Sequence, residues 1–220
     1  MWTDEVIQMI ITGVGETLYM TLCATVLGYL FGLPMGVLLT ISDKGGLKPN
    51  KVIYKVLDVI ANIVRSVPFL ILLIVLIPFT RLMVGKIYGP TATIVSLTVA
   101  AIPFIGRMVE SSLKEVDEGV VEAARSMGAG TFQIVWKVLL VEGRTSLLTG
   151  ATIAIGTILG YSAMAGFLGG GGLGAIAINY GYYRGEKPIM WAAVILLVII
   201  VQILQESGMK LSKKGDKRIR

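Results

Sequence analysis

VVEAARSMGAGTFQIVWKVLL, Val120–Leu140, is out of place in its own chain. Uncharged runs stand on either side of it, Ile87–Gly106 before and Thr145–Tyr183 after. Between them Glu122, Arg125 and Lys137 break the apolar pattern, and Ala123, Ala124, Gly128, Ala129 and Gly130 crowd together. Helix formers followed by glycines, bounded by lipid-compatible runs, predict a structured loop protruding from a membrane.

Working outward, the rest of the chain supports that setting. Of 220 residues 55% are hydrophobic and only 15% charged, with a mean hydropathy of +0.79, too apolar for a soluble domain of this length. Thr17–Ile41 and Pro188–Gln205 are also free of charge. About 20 residues of helix cross a hydrocarbon core roughly 30 Å thick, so each of the four runs is long enough to span it. A fifth span forms around ANIVRSVPFLILLIVLIPFT, with Arg65 near one end. The expected fold is an all-α membrane protein with five transmembrane helices: Glu16–Ile41, Val56–Thr80, Pro90–Val109, Thr145–Phe167 and Pro188–Ser207. It forms one domain, residues 1–220, interrupted by a polar segment at 110–144.

The formal charge of +6 is unevenly placed. Lys44, Lys48, Lys51 and Lys55 fall in the first loop, and Arg107, Lys114, Arg125, Lys137 and Arg144 in or beside the long insert. Lys210, Lys213, Lys214, Lys217, Arg218 and Arg220 make a basic tail, while the opposite side carries only Arg81, Lys86, Arg184 and Lys187. The positive-inside rule then orients the chain with its N-terminus outside and its C-terminus and insert in the cytoplasm. Distributed this way the charge is topological, and nucleic acid is not an expected partner. The N-terminus lacks the basic region of a cleavable signal, and its apolar run is too long for one. Cys23 is the one cysteine and histidine is absent. A zinc centre or a His-based nucleophile has no residues to build on, and no cofactor or metal is expected.

Three clusters of residues carry specific expectations. Gly28, Gly32 and Gly36 recur every fourth residue on one face of the first helix, the spacing that lets helix backbones approach closely in lipid. They serve either packing within one subunit or a subunit interface. In the insert, Ser112 and Glu115 have capping-box spacing for a short helix. Gly128 and Gly130 end that helix, and Thr131 caps a second one with Phe132, Val135, Trp136 and Leu139 on its apolar face. Toward the end of the fourth span, Tyr161, Ser162 and Met164 precede a glycine-rich external connection. Ser162 offers a hydroxyl and Met164 a soft, adaptable thioether, so these residues suit a substrate path or gate, although a methionine here also suits an ordinary core. Gly169, Gly171 and Gly174 match G-x-G-x-x-G in letters, but no strand or βαβ unit surrounds them. A dinucleotide site is not expected; a flexible or re-entrant connection, or a moving outer gate, is.

EAARSMGA, Glu122–Ala129, resembles the cytoplasmic EAA signature of bacterial ABC-importer permeases, Glu-Ala-Ala followed four residues on by Gly. The Leu-Pro that often closes the family's motif is absent, since Val141 and Glu142 follow Leu140. Further stretches, RSVPF (Arg65–Phe69), IPFIGRMVESSL (Ile102–Leu113) and GYSAMAGFLGGGGLG (Gly160–Gly174), are similar to methionine-importer permeases. The resemblance implies an ABC type I importer permease core in the bacterial inner or plasma membrane. It implies a homodimer that binds a cytoplasmic ABC ATPase dimer and an extracytoplasmic substrate-binding protein. Residues 110–144 would be the coupling segment, with Glu122, Ala123, Ala124 and Gly128 contacting the ATPase. No G-x-x-x-x-G-K-[ST] occurs, so ATP hydrolysis belongs to that partner. The substrate is expected to be methionine, moved by alternating access; another amino acid or small organic solute is the nearest alternative. A channel without ATP coupling and a structural assembly factor are the other classes.

Overall fold

The computed structural model describes residues 2–215 and is built from helices and short connections; Lys217, Arg218 and Arg220 of the expected basic tail lie outside those residues. The first helix, α1, runs Asp4–Ser42, starting twelve residues before the expected Glu16. Thr3 caps it by accepting a hydrogen bond from the Val6 N–H, and Asp4 and Glu5 in the first turn complement the helix dipole. At 1.5 Å per residue, 39 residues reach about 58 Å, well beyond the hydrocarbon core. Charge marks where lipid begins, not where the helix does.

The expected second span is divided into three pieces. Helix α2 is Lys51–Ser66, α3 Phe69–Val75 and α4 Ile77–Val84. Asn50 caps α2 through its side chain, which accepts from the N–H groups of Val52 and Ile53. Between α2 and α3 the axis turns by 105°. Pro68 has no N–H to bond back into α2, and Val67 before it is extended, with φ −83° and ψ 124°, as a residue preceding proline prefers.

Helix α5 runs Pro90–Lys114, past the expected end at Val109, and so absorbs Ser112. The Ser112–Glu115 capping box is therefore not formed. Ser112 is buried within α5, and its hydroxyl accepts a hydrogen bond from Ser146 at 2.9 Å. Asp117 takes the capping role, its carboxylate accepting from the Gly119 N–H at 2.8 Å at the start of α6, Glu118–Ser126. Helix α7, Thr131–Ile134, passes through a π-helical turn at Val135–Leu139 into α8, Leu140–Glu142. Its N-cap is Gly130 rather than Thr131, with the Gln133 side chain accepting from the Gly130 N–H at 3.0 Å.

Helix α9, Arg144–Ala165, ends in a 3₁₀ turn at Gly166–Leu168. The expected external loop is largely helical: α10, Gly172–Ile176, continues as π-helix through Ala177–Tyr183. Helix α11 is Lys187–Gly215. Helices α1, α5, α9 and α11 are each long and apolar enough to cross a bilayer, and α2 and α3 together are a further apolar pair, bent by 105°, that completes five spans if it crosses as one.

The core sits where α1 lies along α5. A methyl added to Gly32 would come 2.8 Å from the Ile102 carbonyl oxygen, and one on Gly36 2.5 Å from that of Gly106. Gly28 faces Ala101 and Ile105 just as closely. All three glycines thus press two backbones together inside one chain. Threonine hydroxyls in α1 turn inward as well: Thr17, Thr25 and Thr40 each donate to the carbonyl four residues back, at 2.8, 2.7 and 2.9 Å. That satisfies them where water is absent.

Candidate functional site

The insert places its residues on two opposite surfaces. Ala124 is buried and seats α6 on the bundle, whereas Glu122 and Ala123 beside it are exposed. The Gly128 N–H donates to the Arg125 carbonyl at 2.9 Å and that of Ala129 to the Ala124 carbonyl at 3.1 Å, closing the helix. Gly128 itself has φ +83°, a left-handed conformation that costs a side-chain-bearing residue about 1–2 kcal/mol.

The second short helix does not present one apolar face. Ile134, Val135 and Leu139 turn into the core, while Phe132 is 74% and Trp136 56% exposed. The π turn at Val135–Leu139 shifts the register that an ideal helix would keep. The rings of Phe132 and Trp136 lie 6.0 Å apart between centroids, and Met127 across the glycine turn is 81% exposed. Large apolar side chains left in the open on an otherwise polar protrusion mark a surface made for a partner.

At the other candidate region the three named residues separate. The Tyr161 ring lies flat on Phe69 at 4.6 Å, with 3° between planes, tying α9 to the first residue of α3. Ser162 is buried and donates to the Leu159 carbonyl at 2.7 Å. Its hydroxyl proton is held by its own helix. Met164 is about half exposed in the single chain, so it is not part of this chain's own core. Just beyond, Gly166 packs against the backbone of Gly174 and Ala175, and Gly174 against Ala163. The Gly172 N–H donates to Glu16 at 2.7 Å and the Leu173 N–H to the Thr17 hydroxyl at 2.9 Å. Helix α1 thereby supplies the cap that α10 lacks. The glycine-rich connection is a helical hairpin folded back on α9. Beside it an open groove of about 500 Å³ runs along the start of α1, lined among others by Glu5, Thr12, Glu16, Asn179 and Tyr180.

A charged network that the sequence reading missed joins α5 to its neighbours near the insert. Glu110, only 5% exposed, accepts from Arg107 at 2.7 Å, Lys114 at 2.8 Å and the Tyr54 hydroxyl at 3.4 Å. Arg107 also pairs with Asp58 and donates to Asn62 at 3.1 Å. Lys114 reaches Asp43 at 2.6 Å. The Lys114 hydrogen bond, helped by the Lys44 N–H, holds the Asp43 carboxyl below its ordinary pKa. Glu110 is the buried member and is the charge that loss of a partner would strand, whereas Lys114, Asp43 and Asp58 are open enough to water for their pairs to be screened. The available signal was the i, i+3, i+7 spacing of Arg107, Glu110 and Lys114 closing an uncharged run. Ionisable groups at such a place pair with one another by default.

With this geometry in view, the chain is similar to several known proteins. The family model described as binding-protein-dependent transport system inner membrane component matches residues 8–207. The "Probable D-methionine transport system permease protein MetI" of Vibrio cholerae is 47% identical over 211 residues, covering 96% of this chain and 94% of the relative. The "Methionine import system permease protein MetP" of Bacillus subtilis is 42% identical over 203 residues, covering 92% and 91%. A solved structure, "Inward facing conformations of the MetNI methionine ABC transporter", superposes with a TM-score of 0.96 at 44% identity, covering 98% of this chain and all of that one.

Proposed function

This chain belongs to the family of binding-protein-dependent transport system inner membrane components, and from that membership we propose that it is the permease subunit of an ATP-driven importer carrying methionine. The single observation that carries the coupling part is the insert: Met127, Phe132 and Trp136 stand exposed beside Glu122 and Ala123 on a rigid element outside the bundle. An ATPase seated there pushes on α6, whose other face, through Ala124, bears on the bundle. Gly128 keeps the turn between the short helices tight. The permease hydrolyses no ATP itself; the ATPase subunit does.

Methionine as cargo rests on the methionine transport for which these relatives are named and on their near-complete coverage of the chain. Likeness to an inward-facing transporter supports reading this conformation as inward-facing. Two copies of the chain enclose the path, with the N-terminus outside and the insert in the cytoplasm, as the basic loops require. The binding protein delivers the solute from outside, Tyr161 and Met164 border the passage, and lipid covers the outward aliphatic side chains of α11, such as Ile195 and Ile199.

Competition in proteoliposomes holding the permease, its ATPase and its binding protein tests the substrate. Uptake of labelled methionine is expected to fall with excess unlabelled methionine and to stand unchanged with excess glutamate, lysine or leucine. Inhibition by one of those, with none by methionine, makes the chain a permease for another amino acid.

A further inference from the structure

The charged network bridges three elements that carry different parts of the proposed function. Its three α5 members, Arg107, Glu110 and Lys114, share one face of that helix. They hold Asp58 and Asn62 of α2 on one side and Asp43, at the corner after α1, on the other. Beneath it, Met35, Leu39 and Ala61 are buried with Tyr54, Leu57 and Ile102 packed against them, so the same three elements also meet through apolar contact. Only residues 115–117 separate the end of α5 from α6.

The other end of α2 is built differently. Val67 is extended and Pro68 gives no N–H, so the axis breaks there by 105°, and the next residue, Phe69, is the one stacked on Tyr161. One end of α2 is bound by charge and the other is a break.

We infer that Arg107, Glu110 and Lys114 are positioning residues for transport: they weld α2 and the corner after α1 to the end of α5, so that a push on α6 swings this unit about the Val67–Pro68 break and acts on the Phe69–Tyr161 stack. The inference rests on the permease reading and assigns the route by which docking reaches the path. Burial decides between a weld and a latch that opens each cycle. Pulling α2 away would take Asp58 and Asn62 from Arg107 and the Tyr54 hydroxyl from Glu110, leaving Arg107 and Lys114 to share one buried carboxylate on α5. Hinge motion at a single break exposes no charge.

The test uses the complete transporter in proteoliposomes and reads solute moved per ATP hydrolysed. Arg107→Met and Glu110→Gln are expected to assemble with the ATPase and hydrolyse ATP while moving about fivefold less solute per ATP, a loss at the low end of allosteric coupling. Arg107→Lys returns part of it. A second arm does not depend on those variants folding: Leu57→Cys with Ile102→Cys, both beside the Met35–Leu39–Ala61 cluster, in a Cys23→Ser background, is oxidised to join α2 to α5, and only transporters in which loss of both free thiols proves the bond are scored. Equal transport in the oxidised and reduced states is expected, because the joined helices move together. Transport stopped by oxidation and restored by reduction overturns the weld, as does normal solute per ATP in both neutral variants. An unaltered transporter whose uptake ignores ATP contradicts the permease reading instead.

Discussion

Single residues decide how closely α1 and α5 can lie, and their environments differ enough to predict opposite outcomes for one substitution. At Gly36 a methyl falls 2.5 Å from a backbone carbonyl that cannot move aside, whereas at Gly15 nothing among the described residues lies within 4 Å. Gly36→Ala is expected to destabilise the purified protein by about 1–3 kcal/mol, the usual cost of overpacking, while Gly15→Ala leaves it unchanged. Thermal unfolding in detergent compares the two; equal midpoints contradict the packing. Asp43 gives a pH-dependent case. Its folded pKa lies below the ordinary 3.8, so the stabilisation from Lys114 is complete above the unfolded value. It is lost as pH falls through the folded one. The gap in unfolding temperature between the unaltered protein and Asp43→Asn should therefore be present at neutral pH and close in acid. A gap that widens in acid contradicts the pairing.

At the scale of elements, the insert separates holding from docking. Ala124, Val135 and Leu139 hold it to the bundle; Met127, Phe132 and Trp136 do not. Phe132→Ala and Trp136→Ala are expected to leave the permease folded and to weaken ATPase binding by about 1–2 kcal/mol or more each, in the range of aromatic hot spots. Binding of the purified ATPase to the permease in nanodiscs measures it, and full affinity in both variants removes these residues from the interface. This element also shows how far the sequence was legible. The insert, its glycine turn and the four uncharged spans stood out because lipid enforces apolar runs of a fixed length and Gly128 marks a backbone only glycine adopts freely. Which of Phe132, Val135, Trp136 and Leu139 face inward did not, since a π turn changes the period on which such assignments rest. The end of α5 was misplaced because Glu110 and Lys114 look solvent-bound in a sequence. Lys114's partner Asp43 and Arg107's partner Asp58 are distant in the chain and meet them only in the fold.

Over the whole molecule, the proposed topology puts the α10 hairpin outside and the corner after α1 in the cytoplasm. Tyr183 and Lys48 are both exposed, unlike Gly170, where any side chain meets the Ala165 carbonyl. In intact cells of a Cys23→Ser background, Tyr183→Cys should react with an impermeant thiol reagent and Lys48→Cys should not; the reverse pattern inverts the topology. As proposed, this bundle converts ATP hydrolysis into uphill movement of methionine through its insert. The most direct measurement is the methionine concentration inside proteoliposomes carrying permease and ATPase, with binding protein on the side of the α10 hairpin. With ATP on the insert side, the internal concentration is expected to rise above the external one, and without ATP to stay below it. Equilibration to equal concentrations regardless of ATP would contradict the account and make the chain a channel.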